Sequence, residues 1–207
     1  MKKLLTLALT LALIGCARYQ TPDRGTWDTI LRGASFGAMT HAGVAGKTHF
    51  HLGAGGQTLT TAEAPAYMMI VYNDLADALR VPGIRVERIG HDVLIVMVRS
   101  SFMDEGSPEI SDVGVQNLRT ISRILARHDR TFMEISGYSD QMADQNAALA
   151  FSFDMAERVA LFLAQHRVRA NRMFVIGRGS ARPIADQTTA GRHLNRRVEI
   201  RITPVIR

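Results

Sequence analysis

The stretch Asn195-Arg196-Arg197-Val198-Glu199-Ile200-Arg201-Ile202 decides the fold of the C-terminal half of this chain. Its apolar residues Val198, Ile200 and Ile202 alternate with charged ones, which is the pattern of a β-strand with one buried and one solvent-exposed face. The stretch therefore predicts a strand in a sheet that has its core on one side.

Further strands and helices precede this strand, and their order predicts the fold. Val93–Val98 is a continuous apolar run typical of a central strand buried on both faces, and shorter apolar runs follow at Phe132–Ile135 and Met173–Ile176. Two amphipathic segments alternate with these strands and predict helices. Their apolar stripes comprise Ile110, Val113, Leu118, Ile121 and Leu125 in the first, and Met155, Ala156, Val159, Phe162 and Leu163 in the second, which covers residues 147–166. The order β-α-β-α-β-β predicts an α+β fold, a two-layer sandwich of a mixed sheet with both helices on one face.

A further amphipathic segment lies in front of this domain, to which we assign residues 84–207. Residues 66–83 carry apolar side chains at helical spacing and end with Pro82-Gly83, so they predict a packing helix. Residues 33–65 are rich in glycine, which favours a loop or linker. The predicted apolar stripe of the packing helix comprises Met69, Tyr72, Leu75, Ala76 and Leu79.

The first sixteen residues, MKKLLTLALTLALIGC, have the composition of a secretory signal. Lys2 and Lys3 precede an apolar run from Leu4 to Ile14. This run is shorter than the roughly twenty apolar residues that cross a membrane, so it predicts a signal peptide and not a spanning helix.

The end of this segment indicates a lipid anchor. Leu13-Ile14-Gly15-Cys16 resembles the bacterial lipobox, which implies that residues 1–15 are removed and that Cys16 is acylated. More than one acyl chain gives stable membrane anchoring without a spanning helix. Ala17 follows the cysteine, and by resemblance to the enterobacterial sorting rule this favours the outer membrane, with the protein facing the periplasm. Residues 16–65 would then comprise the lipidated cysteine, a tether and the glycine-rich linker.

The overall composition is that of a folded protein with a mild excess of positive charge. Hydrophobic residues make up 46% and charged residues 21% of the chain, and the formal net charge is +6. Loss of Lys2 and Lys3 with the signal leaves 23 basic and 19 acidic side chains. This excess suits anionic surfaces or polymers. No dense Lys/Arg run interleaved with aromatic residues is present, so we expect no nucleic-acid partner.

The sequence predicts neither a metal site nor a catalytic one. Cys16 is the single cysteine, and His49-Phe50-His51 has no Cys, Asp or Glu close to it in sequence that would complete a metal-ligand set. The chain contains no G-x-S-x-G or HExxH motif, and Gly177-Arg178-Gly179-Ser180 lacks the lysine and the spacing of a phosphate-binding loop. We therefore expect a protein that is not an enzyme and has no cofactor.

Four motifs within residues 89–203 resemble, in order, those of the OmpA-like domain family. They are Phe102-Met103-Asp104-Glu105-Gly106-Ser107 after the first strand, Gly137-Tyr138-Ser139-Asp140 after the second, Gly177-Arg178-Gly179-Ser180 with Pro183, and the signature Asn195-Arg196-Arg197-Val198-Glu199-Ile200. The resemblance implies non-covalent binding to peptidoglycan. In this family, the loop after the second strand and the following helix hold the diaminopimelate side chain of the stem peptide.

That ligand is a zwitterion, so its pocket needs an anion for the ammonium and a cation, preferably arginine, for the carboxylate. Ser139 and Asp140 lie in the corresponding loop, and Asp140 stands where the family places its anion. The other reading of Asp140 is a loop or helix-cap carboxylate.

The family's arginine is missing from this chain. A gapless alignment after Asp140 puts Met155 at the arginine position, where it would fill core space. Arg158, one helical turn further on, could replace the lost arginine, and so could Arg192 or Arg196 near the end of the domain. Arg158 could equally lie on a solvated helix face.

The other arginine of the signature, Arg197, could be structural together with Arg196, one bracing loops and the other lying on the exposed face of the sheet. If no arginine replaces the lost one, the domain would serve as a docking subunit of an envelope complex. In size and layout the chain resembles the small OmpA-like lipoprotein of type IVB (Dot/Icm-like) secretion systems, which makes such a machine the second hypothesis.

Overall fold

The structure is a computed structural model that describes residues 58–104 and 107–207. The predicted signal peptide, the lipidated Cys16, the pair His49 and His51 and most of the glycine-rich linker lie outside these residues.

The described part of the chain contains four α-helices and five β-strands. They are α1 (Ala64–Ala78), β1 (Ile84–Ile89), β2 (Asp92–Val98), α2 (Asp112–Arg127), β3 (Thr131–Tyr138), α3 (Gln145–Gln165), β4 (Met173–Gly177), α4 (Thr189–Asn195) and β5 (Arg197–Pro204). The strands form one mixed sheet in the order β1-β2-β5-β3-β4. Only the β3–β4 pair is parallel. The predicted α+β sandwich is confirmed, and β1 and α4 are additions that the sequence pattern did not predict.

The strand register places the apolar side chains on one face. Ile200 of β5 lies between Ile95 and Ile135, and Ile135 in turn pairs with Val175. Ile200, Ile95 and Ile135 are fully buried in a core that also contains apolar residues of α1, α2 and α3. The alternate positions of β5 carry Glu199 and Arg201, as the alternation in the sequence predicts. Burial of this face supplies most of the favourable free energy of folding.

Two glycines let α3 lie directly on the ends of β3 and β4. A Cβ atom added at Gly137 would overlap the main-chain carbonyl of Ser152, and one at Gly177 would lie 2.7 Å from the carbonyl oxygen of Leu149. Since these obstacles are helix backbone, a larger residue would push α3 away from the sheet. The close approach fixes the start of α3 beside the loop that follows β3.

The helix α1 packs into the same core, but through a different stripe from the predicted one. Met68 and Val71 are buried together with Leu75 and Leu79, whereas the predicted Met69 is 38% exposed. Consecutive apolar residues over this part of α1 allow two overlapping stripes at helical spacing. Contacts with the sheet and α2 select the one that contains Met68.

The end of the predicted linker is also part of the folded domain. Leu59 forms a parallel bridge with Ile206 and is only 1% exposed. Thr60 and Glu63 then form a reciprocal capping arrangement, in which the Thr60 N–H donates to Glu63 Oε2 at 2.8 Å and the Glu63 N–H donates to Thr60 Oγ1 at 3.3 Å. The chain therefore enters the described domain beside the C-terminal end of β5.

Candidate functional site

Asp140 and Arg196 meet at one end of the sheet. Asp140 follows β3 and Arg196 immediately precedes β5, and these antiparallel neighbours pair Tyr138 with Arg197. Arg196 donates through Nε to Asp140 Oδ1 at 2.8 Å and through Nη2 to Oδ2 at 3.0 Å. This is the parallel two-bond geometry that arginine forms with carboxylates. Among the arginines that could replace the family's helical one, Arg196 is the one that the structure brings to Asp140.

The two partners differ in solvent exposure. The Asp140 side chain is 7% exposed, whereas that of Arg196 is 38% exposed. Burial by itself raises the pKa of Asp140, but the hydrogen bonds and positive charge of Arg196, with a smaller contribution from Arg192, outweigh it and lower the pKa below its ordinary value. Asp140 is therefore an anion at neutral pH, and its counter-ion is accessible to solvent.

Ser139, the residue before Asp140, carries a buried hydroxyl group. The residue is 3% exposed, and its backbone N–H donates to the carbonyl of Gly179 at 2.8 Å. Its Oγ is buried and has no hydrogen-bond partner in the described part of the chain. Buried hydroxyls are normally hydrogen-bonded, so Ser139 Oγ is an exception to that rule.

The remaining residues of the C-terminal signature hold the surrounding loops. The Oδ1 atom of Asn195 accepts hydrogen bonds from the N–H groups of Ile184 and Ala185, at 2.8 and 3.1 Å. The Nη2 atom of Arg197 donates to the carbonyl of Arg182 at 3.1 Å. Asn195 is thus a site-organising residue whose role was not predicted, although it stands in the motif.

Arg197 does not lie on an exposed sheet face. Its side chain is 2% exposed, stacks over the Tyr138 ring with 3.9 Å between the guanidinium carbon and the ring centroid, and donates to Glu199 at 2.7 Å. The prediction for the two signature arginines was therefore half right. Arg196 braces the loop after β3, whereas Arg197 is buried against the Tyr138 ring and bonded to the carbonyl of Arg182.

The α3 candidates lie elsewhere. Met155 is 2% exposed and belongs to the core, as predicted. Arg158 donates to Asp154 through Nε at 2.9 Å and Nη2 at 3.3 Å, a pair within one helical turn. Asp154 therefore occupies the guanidinium of Arg158, which forms neither a hydrogen bond nor an ion pair with Asp140. Asp144, rather than Asp140, caps α3 by accepting the N–H of Asn146 at 2.8 Å.

Two kinds of feature are absent from residues 58–104 and 107–207. No group of three or more His, Cys, Asp or Glu side chains in these residues is arranged to hold a metal ion. No helix among them is both long and apolar enough to cross a membrane.

Comparison with known proteins gives a family match over the region of this site. The model described as the OmpA family matches residues 102–197. The probable lipoprotein YiaD of Escherichia coli (strain K12) is 31% identical over 140 residues, which cover 67% of this chain and 64% of YiaD. The chain thus spans just under two thirds of the length of that relative.

Solved structures share the fold at lower sequence identity. A MotB-like protein from Desulfovibrio vulgaris superposes with a TM-score of 0.60 at 18% identity and covers 69% of this chain and 94% of its own. The cell wall anchor of the T6SS from Pseudomonas aeruginosa superposes with a TM-score of 0.57 at 24% identity and covers 65% of this chain and 96% of its own.

Proposed function

Because this chain carries an OmpA-like domain, we propose that it binds peptidoglycan non-covalently, with Asp140 and Arg196 holding the diaminopimelate of the stem peptide. The observation that carries the proposal is the two-bond ion pair of these side chains at the end of the sheet. It provides the anion and the cation that a zwitterion requires, from an arginine that replaces the one lost at Met155.

The chemistry of binding would be an exchange of ion pairs. The ligand's ammonium would bind Asp140 and its carboxylate would bind the fork of Arg196, so one internal pair is replaced by two intermolecular ones. Ser139 Oγ is buried without a partner in the described part of the chain and would donate or accept one further hydrogen bond if binding exposes it. Arg158 has no part in this arrangement, because Asp154 already binds it.

The proposal includes anchoring in the outer membrane through acylated Cys16, which would make the protein a link between membrane and cell wall. The position of the site supports this. The chain enters the domain at Leu59, beside Ile206, whereas Arg196 lies at the other end of β5. The eight residues of β5 span roughly 26 Å at 3.3 Å per residue. The site would therefore be at the end of the domain that is remote from the tether.

A second function is docking within an envelope complex such as a type IVB secretion system. Met155 and a group of exposed apolar side chains near the site favour it. Met142 is 37%, Ile184 49% and Leu194 47% exposed, in the loops and the short helix that flank Asp140 and Arg196. Exposed apolar side chains that cluster are a feature of protein-binding surfaces.

Sedimentation with purified diaminopimelate-type peptidoglycan tests the first function. The mature chain from Ala17 should pellet with the wall, and Asp140→Ala and Arg196→Gln should each remain in solution. Arg158→Ala is the matched control, since it also removes a charge from a partly buried ion pair and should pellet like the parent. Wall that carries lysine in place of diaminopimelate lacks the second carboxylate and should retain the chain poorly.

Two results would contradict wall binding through this site. If the parent chain stays in solution, the docking function takes its place. If Asp140→Ala and Arg196→Gln pellet like the parent, the wall is held by another surface. Release of soluble muropeptides by the purified protein would show instead that the chain is a wall hydrolase.

A further inference from the structure

A row of arginines runs along the outer side of α2. Arg119, Arg123 and Arg127 are exposed and lie at successive i, i+4 positions, so their side chains follow one another along the helix surface. Like charges at this spacing destabilise a helix. The helix dipole offsets this for Arg127, which lies in the last turn of α2, but its effect does not extend to Arg119 or Arg123.

Most of this charge has no counter-ion among residues 58–104 and 107–207. Arg127 lies 3.5 Å from Asp74, which also binds His128. None of the ion pairs in the described part of the chain includes Arg119 or Arg123. Within the part of the chain that the structure describes, Arg123 donates only to the hydroxyl of Thr120 on its own helix, at 3.3 Å.

The end of α3 completes a concave basic surface. Arg119 and Arg123 line an open hollow of about 620 Å³ together with residues 165–167. Arg167 contributes a third exposed guanidinium, which likewise takes part in none of the ion pairs of residues 58–104 and 107–207. We call the side chains of Arg119, Arg123, Arg127 and Arg167 the basic face.

The direction of the helices places this face relative to the tether. Both α2 and α3 start at the end of the sheet that holds Asp140 and finish at the opposite end. The bridge of Leu59 with Ile206 lies at that opposite end, where the N–H of Val205 donates to the carbonyl of Arg130 at 3.0 Å. The basic face therefore extends toward the point where the tether enters the domain.

We propose that the basic face binds the anionic phospholipid headgroups of the membrane that carries the lipid anchor. The inference rests on the lipid anchor of the proposed function, because the anchor keeps the domain close to a bilayer. Its own support is the charge complementarity with phosphate of Arg119, Arg123 and Arg167, which form no ion pair within the described residues, and the continuity of the face with the tether's entry point. Bound in this way, the domain would point the Asp140–Arg196 site away from the membrane.

Vesicle binding by the unlipidated mature chain from Ala17 tests this. One set of vesicles contains phosphatidylcholine with about one third phosphatidylglycerol, and the other contains phosphatidylcholine alone. Each arginine near an anionic bilayer contributes about a fivefold increase in binding. The variant Arg119→Gln/Arg123→Gln should therefore bind the anionic vesicles roughly 25-fold more weakly than the parent.

The matched control is Arg80→Gln/Arg85→Gln, which loses the same charge from exposed positions at the opposite end of the domain. The affinity of this control for anionic vesicles should lie within about twofold of that of the parent chain. High salt should weaken the binding of both the control and the parent chain. Asp140→Ala should keep vesicle binding while it loses the wall, so the two functions can fail separately.

Three results would overturn the inference. The parent chain could bind neutral and anionic vesicles equally, which would leave the basic face without a phospholipid ligand. The two double variants could lose binding equally, which would make net charge the cause. Finally, Arg119→Gln/Arg123→Gln could lose wall sedimentation while it keeps vesicle binding, which would make the ligand of this face a wall polymer.

Discussion

The coupling between Asp140 and Arg196 can be measured as a free energy of unfolding, in the absence of any ligand. The perturbation is a double-mutant cycle of Asp140→Asn, Arg196→Gln and the two together. Each single change removes one charge and keeps the approximate size of the side chain. The cycle isolates the pairwise interaction from the other effects of each substitution.

The structure sets the expected magnitude between two limits. Hydrogen bonds to charged groups contribute about 1.5–3 kcal/mol each when they are well shielded, whereas exposed ion pairs contribute about 0.2–1 kcal/mol. Here the carboxylate is 7% exposed and the guanidinium 38% exposed, so solvent screens the pair from one side. We expect a coupling free energy of about 1–2 kcal/mol. Arg196→Gln alone should cost more than Asp140→Asn, because it leaves a buried carboxylate without its cation.

The assay is urea unfolding of the mature chain and its three variants, followed by circular dichroism at neutral pH and again under acid conditions. Because the fold lowers the pKa of Asp140, the pair contributes fully above the ordinary pKa of an aspartate, about 4. That contribution disappears as the pH falls through the lowered value. The coupling should thus be present at neutral pH and vanish at low pH. A coupling below about 0.3 kcal/mol at neutral pH would refute the reasoning, because independent sites show no more than that.

Two further predictions concern the scaffold. Arg172 is 2% exposed and donates to the carbonyls of Leu125 and Thr131 at 3.0 and 2.8 Å. The substitution Arg172→Met should therefore lower the free energy of urea unfolding by about 3 kcal/mol or more. As a control, substitution of the exposed Arg169 by Met should change this free energy by less than about 0.5 kcal/mol. Gly137→Ala should lower the midpoint temperature of thermal unfolding, by an amount equivalent to a loss of about 3 kcal/mol in stability, because the added methyl group overlaps the backbone of α3. An unchanged midpoint would show that α3 can move freely.

The buried guanidinium of Arg172 also illustrates how the domain tolerates a charge in its interior. Burial lowers the pKa of Arg172 to about 10, so the side chain remains charged at neutral pH. Its Nη2 reaches the carbonyl of His128, just after α2, at 2.7 Å. These carbonyls belong to a helix end and the start of a strand, where backbone acceptors lack regular partners. Arg172 therefore replaces the missing hydrogen bonds and stabilises the junction of α2 with β3.

The elements that the sequence predicts are those with long and regular periodicity. The predicted central strands, α2 and α3 are confirmed. They could be predicted because each repeats its apolar spacing over several helical turns or several pairs of strand residues. The strand β1 was missed because Ile84–Ile89 is a half-buried edge strand with charged residues on it. The helix α4 was missed because seven residues are too few to show a helical period.

Apolar periodicity also does not determine which side chains are buried near the ends of a helix. Val113 was assigned to the buried stripe of α2, yet it is 60% exposed. The neighbouring Gly114 faces the core instead, where the backbone of Phe102 leaves no space for a Cβ atom. The cap formed by Ser111, which accepts the N–H of Gly114 at 3.0 Å, fixes this orientation. Spacing alone does not contain that information.

The candidate site was predictable as far as its anion and no further. Asp140 could be identified because its loop matches a motif, whereas the choice among Arg158, Arg192 and Arg196 depends on which chain segments meet. The register that pairs Tyr138 with Arg197 makes that choice, since it brings the residue before β5 beside the loop after β3. Register is a property of the whole sheet, and a local sequence pattern does not specify it.

The resident ion pair also bears on how strongly such a site can hold a wall. In the proposed mode of binding, a single stem peptide would have to break the bond between Asp140 and Arg196 before it formed its own two, so its net gain would be about one partly exposed ion pair. That gain implies a weak complex with one peptide. The wall, however, is a polymer with many stem peptides, and a protein held at the membrane meets them at high effective concentration. An exchangeable internal ion pair would therefore produce weak binding of the isolated stem peptide together with strong retention of the protein by the wall.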